Sequence, residues 1–186
     1  LLGIDGEQID VVIDNLVMDK KVVVRNENKV FTAANYFAEL SCARMLMDIN
    51  SFVKRNESML PYEEEKTRKK IRDLVGNENL EFDELQEDAV LRSITNGVFI
   101  LSGGPGTGKT TTINTMIRLF MAEGLDIFLA APTGRAAKRM TEATGYEART
   151  VHRMLELNGM PDEGDRGSAR FERNADNPLE ADVVII

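Results

Sequence analysis

The rhythm of apolar and polar positions changes twice along this chain. In EQIDVVIDNLVMDK (7–20), Ile9, Val12, Ile13, Leu16 and Val17 recur at helical spacing, which predicts a short amphipathic helix. Two β-branched runs follow, KVVVR (21–25) and KVFTA (29–33), and the intervening Asn26-Glu27-Asn28 makes them a predicted hairpin. From 34 to 56, Tyr36, Phe37, Leu40, Ala43, Leu46, Met47 and Val53 form the apolar stripe of a longer helix. Pro61 then opens EEEKTRKKIRDLV, whose acids come first and cations later, as a helix dipole favours, and Gly76-Asn77 breaks it. A helix, a ribbon and two more helices predict a small α+β accessory module of winged-helix type over residues 1–76. The module is nearly neutral and has no basic stripe, so a nucleic-acid contact and a plain structural spacer both stay open as its role.

From Leu80 the pattern becomes an alternation of strands and helices. FDELQEDAVLRSITN (82–96) is helical, VFILS (98–102) is a continuous apolar strand, and GKTTTINTMIRLFMAEG (108–124) is a second helix. DIFLAA (126–131) is another buried strand, TGRAAKRMTEAT (133–144) a helix, TVHRMLEL (150–157) a shorter helix, and ADVVII (181–186) a third strand. Strands apolar on both faces and separated by helices imply an α/β fold with a parallel sheet, assigned to a second domain over residues 77–186. Within it NGMPDEGDRGSARFERNADNP (158–178) has no periodicity and reads as a mobile surface loop. The chain has no internal repeat and no low-complexity tract.

Composition narrows the class without deciding it. With 186 residues, 42% of them apolar and 29% charged, the chain is neither collagen-like nor wholly disordered. The single Cys42 excludes an internal disulfide and makes a reduced cytoplasm the expected compartment. No apolar run approaches the length needed to cross a bilayer, and five Asp or Glu in the first 20 residues do not suit a secretory signal, so no membrane partner is expected. A start at Leu1-Leu2 and an end on VVII suggest a part of a longer protein. The net charge of −8 argues against coating nucleic acid by bulk attraction, but its distribution is uneven: residues 133–153 carry +3 and are the only basic window. On charge alone that window is equally well a solvated helix face.

Residues 103–110 read GGPGTGKT, the pattern G-x-x-x-x-G-K-[ST] with a predicted strand directly before it and a helix directly after. Such glycines let the backbone wrap a phosphate, and the helix amino end adds partial positive charge. Gly103, Gly104, Pro105, Gly106, Thr107, Gly108 and Thr111 are therefore candidate ATP contacts. Lys109 would reach the β and γ phosphates and Thr110 would ligate Mg²⁺. Upstream, Gln86 in LQEDAV has an amide able to meet an adenine edge, a reading that competes with an ordinary exposed helix glutamine.

In an open parallel sheet ligands collect at the carboxyl ends of the strands, so the loop after DIFLAA shares an edge with the phosphate loop. Pro132, Thr133, Gly134 and Arg135 open the basic window there. Arg135, Lys138 and Arg139 can share one helix face, and Arg149, Thr150, His152 and Arg153 follow close by. A single strand of DNA would find hydroxyls, guanidinium groups and a helix amino end on this edge. His152, as a lone histidine, belongs to no evident metal cluster. Aromatic residues are scarce nearby, which favours backbone contact over base contact.

Together, Gln86 in LQEDAV, SGGPGTGKTTT (102–112), AAPTGRAAKRM (130–140), ARTVHRML (148–155) and F-x-R-N…NPLEADVVII (171–186) resemble consecutive motifs of the RecD-like (RecD/TraA type) superfamily 1 DNA helicases. The resemblance runs from Leu80 to Ile186 and extends less specifically to the hairpin and NYFAELSCARML. It implies the first RecA-like motor domain, a P-loop ATPase using ATP and Mg²⁺, with Lys109 and Thr110 serving hydrolysis and Gln86 on adenine. It also implies single-stranded DNA against Thr133, Gly134 and Arg135, and against Thr150, His152 and Arg153, with 5′ to 3′ movement. Family members work in DNA repair and recombination, alone or as subunits of a nuclease-helicase such as the alpha subunit of exodeoxyribonuclease V.

In the family an Asp-Glu pair follows the strand that ends VVII, and a second motor domain supplies an arginine finger. Neither lies within these residues, so the chain by itself is expected not to hydrolyse ATP. Two other functions compete. A nucleotide-gated DNA-binding protein or loader would use the same loop without unwinding, and a small-molecule kinase would need an acceptor pocket that the basic edge does not suggest.

Overall fold

The boundary between the two units of the chain falls after Asn56. The computed structural model describes residues 6–26, 29–55, 63–76, 82–158 and 170–186. The first unit contains helix α1 (Gly6–Met18), strands β1 (Val22–Arg25) and β2 (Lys29–Thr32), and helix α2 (Ala33–Arg55). The hairpin is antiparallel, with Val22 opposite Thr32 and Arg25 opposite Lys29. Asn26 turns with a φ of 50°, a left-handed conformation that asparagine tolerates. Arg25 Nε donates to the Tyr36 hydroxyl at 2.9 Å, tying the ribbon to the first turn of α2.

Helix α3 (Glu64–Gly76), assigned above to the accessory module, belongs to the second unit. Its polar run hides an apolar stripe of Ile71, Leu74 and Val75, which needs a cover. Helices α4 (Glu84–Thr95) and α5 (Lys109–Ala122) provide it: Ile71 and Val75 pack with Val90, Leu91, Met116, Leu119 and Phe120. Arg68 and Arg72 of α3 both reach Glu87 of α4 at 3.0 Å, and the Arg72 and Arg68 guanidinium groups hold that carboxyl below the usual carboxylate range against the opposing effect of partial burial. Among the described residues the first unit holds two helices with the hairpin, one fewer than the winged-helix expectation, and Pro61 lies outside the described residues.

The second unit is of α/β class. Strands β3 (Ile127–Ala131), β4 (Ala148–Thr150) and β7 (Val183–Ile185) form a parallel sheet in the order β4-β3-β7. Asp126 N–H donates to Asp182 Oδ2 at 2.8 Å and thereby sets the register of β7 on β3. Helix α6 (Gly134–Thr144) joins β3 to β4 and ends on Gly145, whose φ of 76° suits a residue without a Cβ.

Three expectations need correction. VFILS makes no ladder among the described residues: Phe99 and Leu101 pack against the helical core while Ile100 is 83% exposed, so the run has a strand's alternation without a paired strand. The segment TVHRMLEL holds a single turn, α7 (Val151–Met154), after which Leu157–Asn158 (β5) pairs antiparallel with Arg170–Phe171 (β6). The stretch 158–178 therefore has ordered ends, closed by Asn174 and Asn177, whose backbones exchange hydrogen bonds of 3.1 and 3.2 Å. Its middle, 159–169, where mobility was expected, lies outside the described residues.

Candidate functional site

The loop 103–108 is shaped by two glycines and closed by one lysine. Gly106 and Gly108 have φ of 76° and 71°, which a residue with a Cβ adopts only with strain. Thr107 Oγ1 donates to Gly104 O at 2.9 Å, and Pro105 is exposed beside it in the turn. Lys109 Nζ turns back across the loop and donates to Gly103 O at 2.7 Å and to Gly104 O, with Thr107 Oγ1 at 3.5 Å. The ammonium thus sits at the centre of the arc, held by neutral carbonyls that a phosphate oxygen, carrying charge, would replace.

Below the loop, α5 differs from its neighbours at its amino end. Helices α4 and α6 are capped by the side chains of Asp83 and Thr133, whereas α5 begins on Gly108 with no side-chain cap. Its first-turn N–H groups, on Lys109, Thr110 and Thr111, have no acceptor within the helix. Those donors, the dipole and Lys109 together make a site for an anion, so the residues present fit a nucleotide phosphate. Thr112, buried, donates from Oγ1 to Gly108 O at 3.1 Å and fixes the helix start from beneath. Thr110 is exposed in the first turn and supplies one hydroxyl of the kind Mg²⁺ takes.

Gln86 lies against this loop, with its amide engaged at both ends. Asp83 and Gln86 form a reciprocal cap: Gln86 N–H donates to Asp83 Oδ1 at 2.8 Å and Asp83 N–H donates to Gln86 Oε1 at 3.0 Å. Gln86 Nε2 donates to Thr107 O at 3.5 Å. The capping box, which the sequence spells as Asp83-x-x-Gln86, thus carries the glutamine to the phosphate loop.

Parallel pairing brings the basic residues to one edge. Ala131 at the end of β3 stands opposite Thr150 at the end of β4, so Pro132 to Arg135 and Thr150 to Arg153 leave the sheet side by side. Helix α5 is joined to β3 by the short segment 123–126. Asn114 Nδ2 of α5 donates to Ala143 O of α6 at 3.3 Å, holding the two helices together.

On that edge two threonines start helices. Thr133 Oγ1 accepts from Ala136 N–H and Thr150 Oγ1 accepts from Arg153 N–H, each at 3.2 Å. Accepting leaves each hydroxyl proton free to donate outward to an anionic oxygen. Pro132, Thr133, Gly134, Arg135, Lys138, His152 and Arg153 are exposed. The basic charge is partly spent locally: Arg149 grips Glu147 with two hydrogen bonds of 3.2 Å, which lower the Glu147 carboxyl from its ordinary range, and Lys138 faces Glu142 at 3.9 Å.

The edge also contains a residue to which the sequence assigns no role. The β5–β6 ribbon returns Phe171 to His152, with ring centroids 6.2 Å apart and planes 33° from parallel. An aromatic pair is thus present where none was expected. Phe171 is visible in F-x-R-N, but its distance from His152 along the chain conceals the contact.

Comparison with known proteins gives the same region. The model of the AAA domain family matches residues 86–186. The ATP-dependent RecD2 DNA helicase of Deinococcus radiodurans is 42% identical over 87 residues, covering 47% of this chain and 11% of that protein. The RecBCD enzyme subunit RecD of Mycolicibacterium smegmatis is 35% identical over 126 residues, covering 55% of this chain and 22% of that protein. An uncharacterized protein of Methanocaldococcus jannaschii is 30% identical over 169 residues, 83% of this chain and 14% of its own length, so that similarity reaches into the first unit. The chain spans less than a quarter of each of these relatives.

Proposed function

The chain belongs to the AAA domain family and is RecD-like over its matched residues, and from that premise we propose that the whole protein is an ATP-dependent DNA helicase that moves on single-stranded DNA. The observation that carries this reading is the pairing of Ala131 with Thr150, which starts α6 with Arg135 and α7 with Arg153 side by side, together with the Asn114 hydrogen bond that ties α6 to α5, the helix opened by Lys109 without a side-chain cap. A change in the phosphate loop on hydrolysis can then be passed through α5 to α6 by packing and by the Asn114 hydrogen bond.

In this reading Gly103 to Thr111 enclose the triphosphate of ATP, Lys109 neutralises charge between its terminal phosphates, and Thr110 takes part in holding Mg²⁺. Gln86 touches the loop backbone, and adenine contact would draw one end of its amide away from Thr107 O or the Asp83 cap. Pro132, Thr133, Gly134, Arg135 and Lys138 hold one stretch of the DNA backbone, and Thr150, His152 and Arg153 the next. Residues 1–56, with the hairpin, form an accessory unit of the same enzyme. The cytoplasm is its place of action, and a RecBCD-type nuclease-helicase, the assembly named for the mycobacterial relative, is a candidate complex. No described helix is long and apolar enough to cross a membrane.

The decisive experiment is strand displacement from a partial duplex by the full-length protein, with ATPase activity followed in parallel. Lys109→Ala is expected to lower DNA-stimulated hydrolysis by about 10²-fold or more and to abolish unwinding, with unchanged melting behaviour. ATP turnover without unwinding by the unaltered protein would favour the loader reading instead. Residues 1–186 in isolation are expected to show no DNA-stimulated hydrolysis, because the acid pair and second motor domain implied by the resemblance are not among them.

A further inference from the structure

The chain leaves α7 through a strained residue. Glu156 has a φ of 52°, a left-handed backbone that glycine or asparagine takes readily and glutamate takes only at a cost. The return of β6 holds it there. Glu172 N–H donates to Glu156 O and Arg173 N–H to Leu155 O, both at 3.2 Å, and Arg173 Nη2 pairs with Glu156 Oε1 at 2.9 Å. The same guanidinium reaches onward: its Nη1 donates to Pro178 O at 3.3 Å and to Asn177 Oδ1 at 3.4 Å. That far end is itself fixed, since Asn174 and Asn177 close on each other and Asn174 Oδ1 accepts from Asp176 N–H at 2.9 Å. Arg173 Nε is enclosed without a partner among the described residues. An arginine that hides one donor and turns the others inward spends its charge within the fold, not on solvent.

We infer that Arg173 is a positioning residue for DNA binding: by clamping the strained turn at Glu156 it fixes α7, so that Thr150, His152 and Arg153 meet the strand in one arrangement. Arg173 itself touches no DNA. A preset arrangement spares the strand the cost of ordering these side chains on arrival. Without the clamp Glu156 is free to return to the right-handed backbone it prefers, and that rotation re-aims α7 against the rest of the edge. The ion pair is partly exposed, so its contribution lies in geometry more than in global stability. This inference rests on the reading of Thr150, His152 and Arg153 as DNA contacts.

The sign of one substitution separates this role from plain attraction. Glu156 is an acid beside a basic edge, so removing its charge should by electrostatics alone strengthen DNA binding. Glu156→Gln and Glu156→Ala remove the same charge, but only the first keeps an oxygen to accept from Arg173. The test measures equilibrium binding of the full-length protein to oligothymidylate over a range of salt. Glu156→Gln should bind at least as tightly as the unaltered protein, and Glu156→Ala about tenfold more weakly. Arg173→Ala should lose about as much with an unchanged salt slope, and the double variant Glu156→Ala with Arg173→Ala no more than either single, because both break one clamp. Fluorescent-nucleotide affinity should stay unchanged in all of them, which reports a folded phosphate loop. Equal binding by Glu156→Ala and Glu156→Gln would overturn the clamp. So would a shallower salt slope in Arg173→Ala, the mark of a direct phosphate contact, additive losses in the double variant, or a loss of nucleotide binding that points to a general folding role. Failure of the underlying site looks different: the unaltered protein would not bind the oligonucleotide, or Arg153→Ala would leave its affinity unmoved, and the clamp would fall with it.

Discussion

The Gln86 side chain lies so close to Gly108 that a Cβ built on Gly108 would overlap the Gln86 amide nitrogen. The glutamine is placed there by its reciprocal cap with Asp83, and the glycine by a φ of 71°. The helix before the phosphate loop and the loop itself are therefore fitted to each other through a single absent side chain. Gly108→Ala is expected to lower nucleotide affinity by at least about tenfold and to destabilise by about 1 to 2 kcal/mol, from left-handed strain and the displaced amide. Fluorescent-nucleotide titration and thermal melting check both effects. Adding Gln86→Ala should recover part of the stability, since it removes the overlap and leaves the strain.

Arg135 is exposed at the start of α6 and forms no ion pair with any described residue. Arg135→Ala should weaken binding to single-stranded DNA and make the dependence of log affinity on log salt shallower by about 0.7, the release of one counterion from a single strand. Fluorescence anisotropy between low and moderate salt measures it.

Thr133 has a double task if it caps α6 and touches DNA. Thr133→Ala should cost about 1 kcal/mol of stability through loss of the cap to Ala136 N–H, as well as DNA affinity. Thr133→Ser keeps the hydroxyl and should restore both. A serine variant that folds normally but stays impaired in binding would assign the contact to the methyl group instead.

Glu87 joins α3 to α4 and has its carboxyl lowered chiefly by the hydrogen bond from Arg72, with Arg68 adding to it. A carboxyl lowered on folding stabilises fully above its unfolded value, near 4.5, and the contribution fades as pH falls through the lower folded value. Glu87→Gln should therefore destabilise by about 1 to 2 kcal/mol at neutral pH, and the gap to the unaltered protein should close under acid conditions. Denaturant melts at pH 7 and below pH 4 check the sign.

Local chemistry made part of this protein readable in one dimension. The glycines, lysine and threonine of 103–110 imply their own backbone path, because few residue types tolerate a left-handed turn or pair with phosphate. The helices at 84–95, 109–122 and 134–144 and the strands at 127–131 and 183–185 follow from periodicity that each segment holds within itself. Where an element depends on a distant neighbour, the chain alone was silent or misleading. VFILS has a strand's composition but no partner edge among the described residues; Ala148–Thr150 has no strand signal and becomes one because β3 offers its side. Helix α3 looked like part of the first module until Ile71 met Val90 and Phe120 in the second. Phe171 reached His152 only through the antiparallel return of β6 onto β5. Propensity and turn chemistry act over a few residues, whereas apolar cover and ladder pairing are supplied by whatever folding brings alongside.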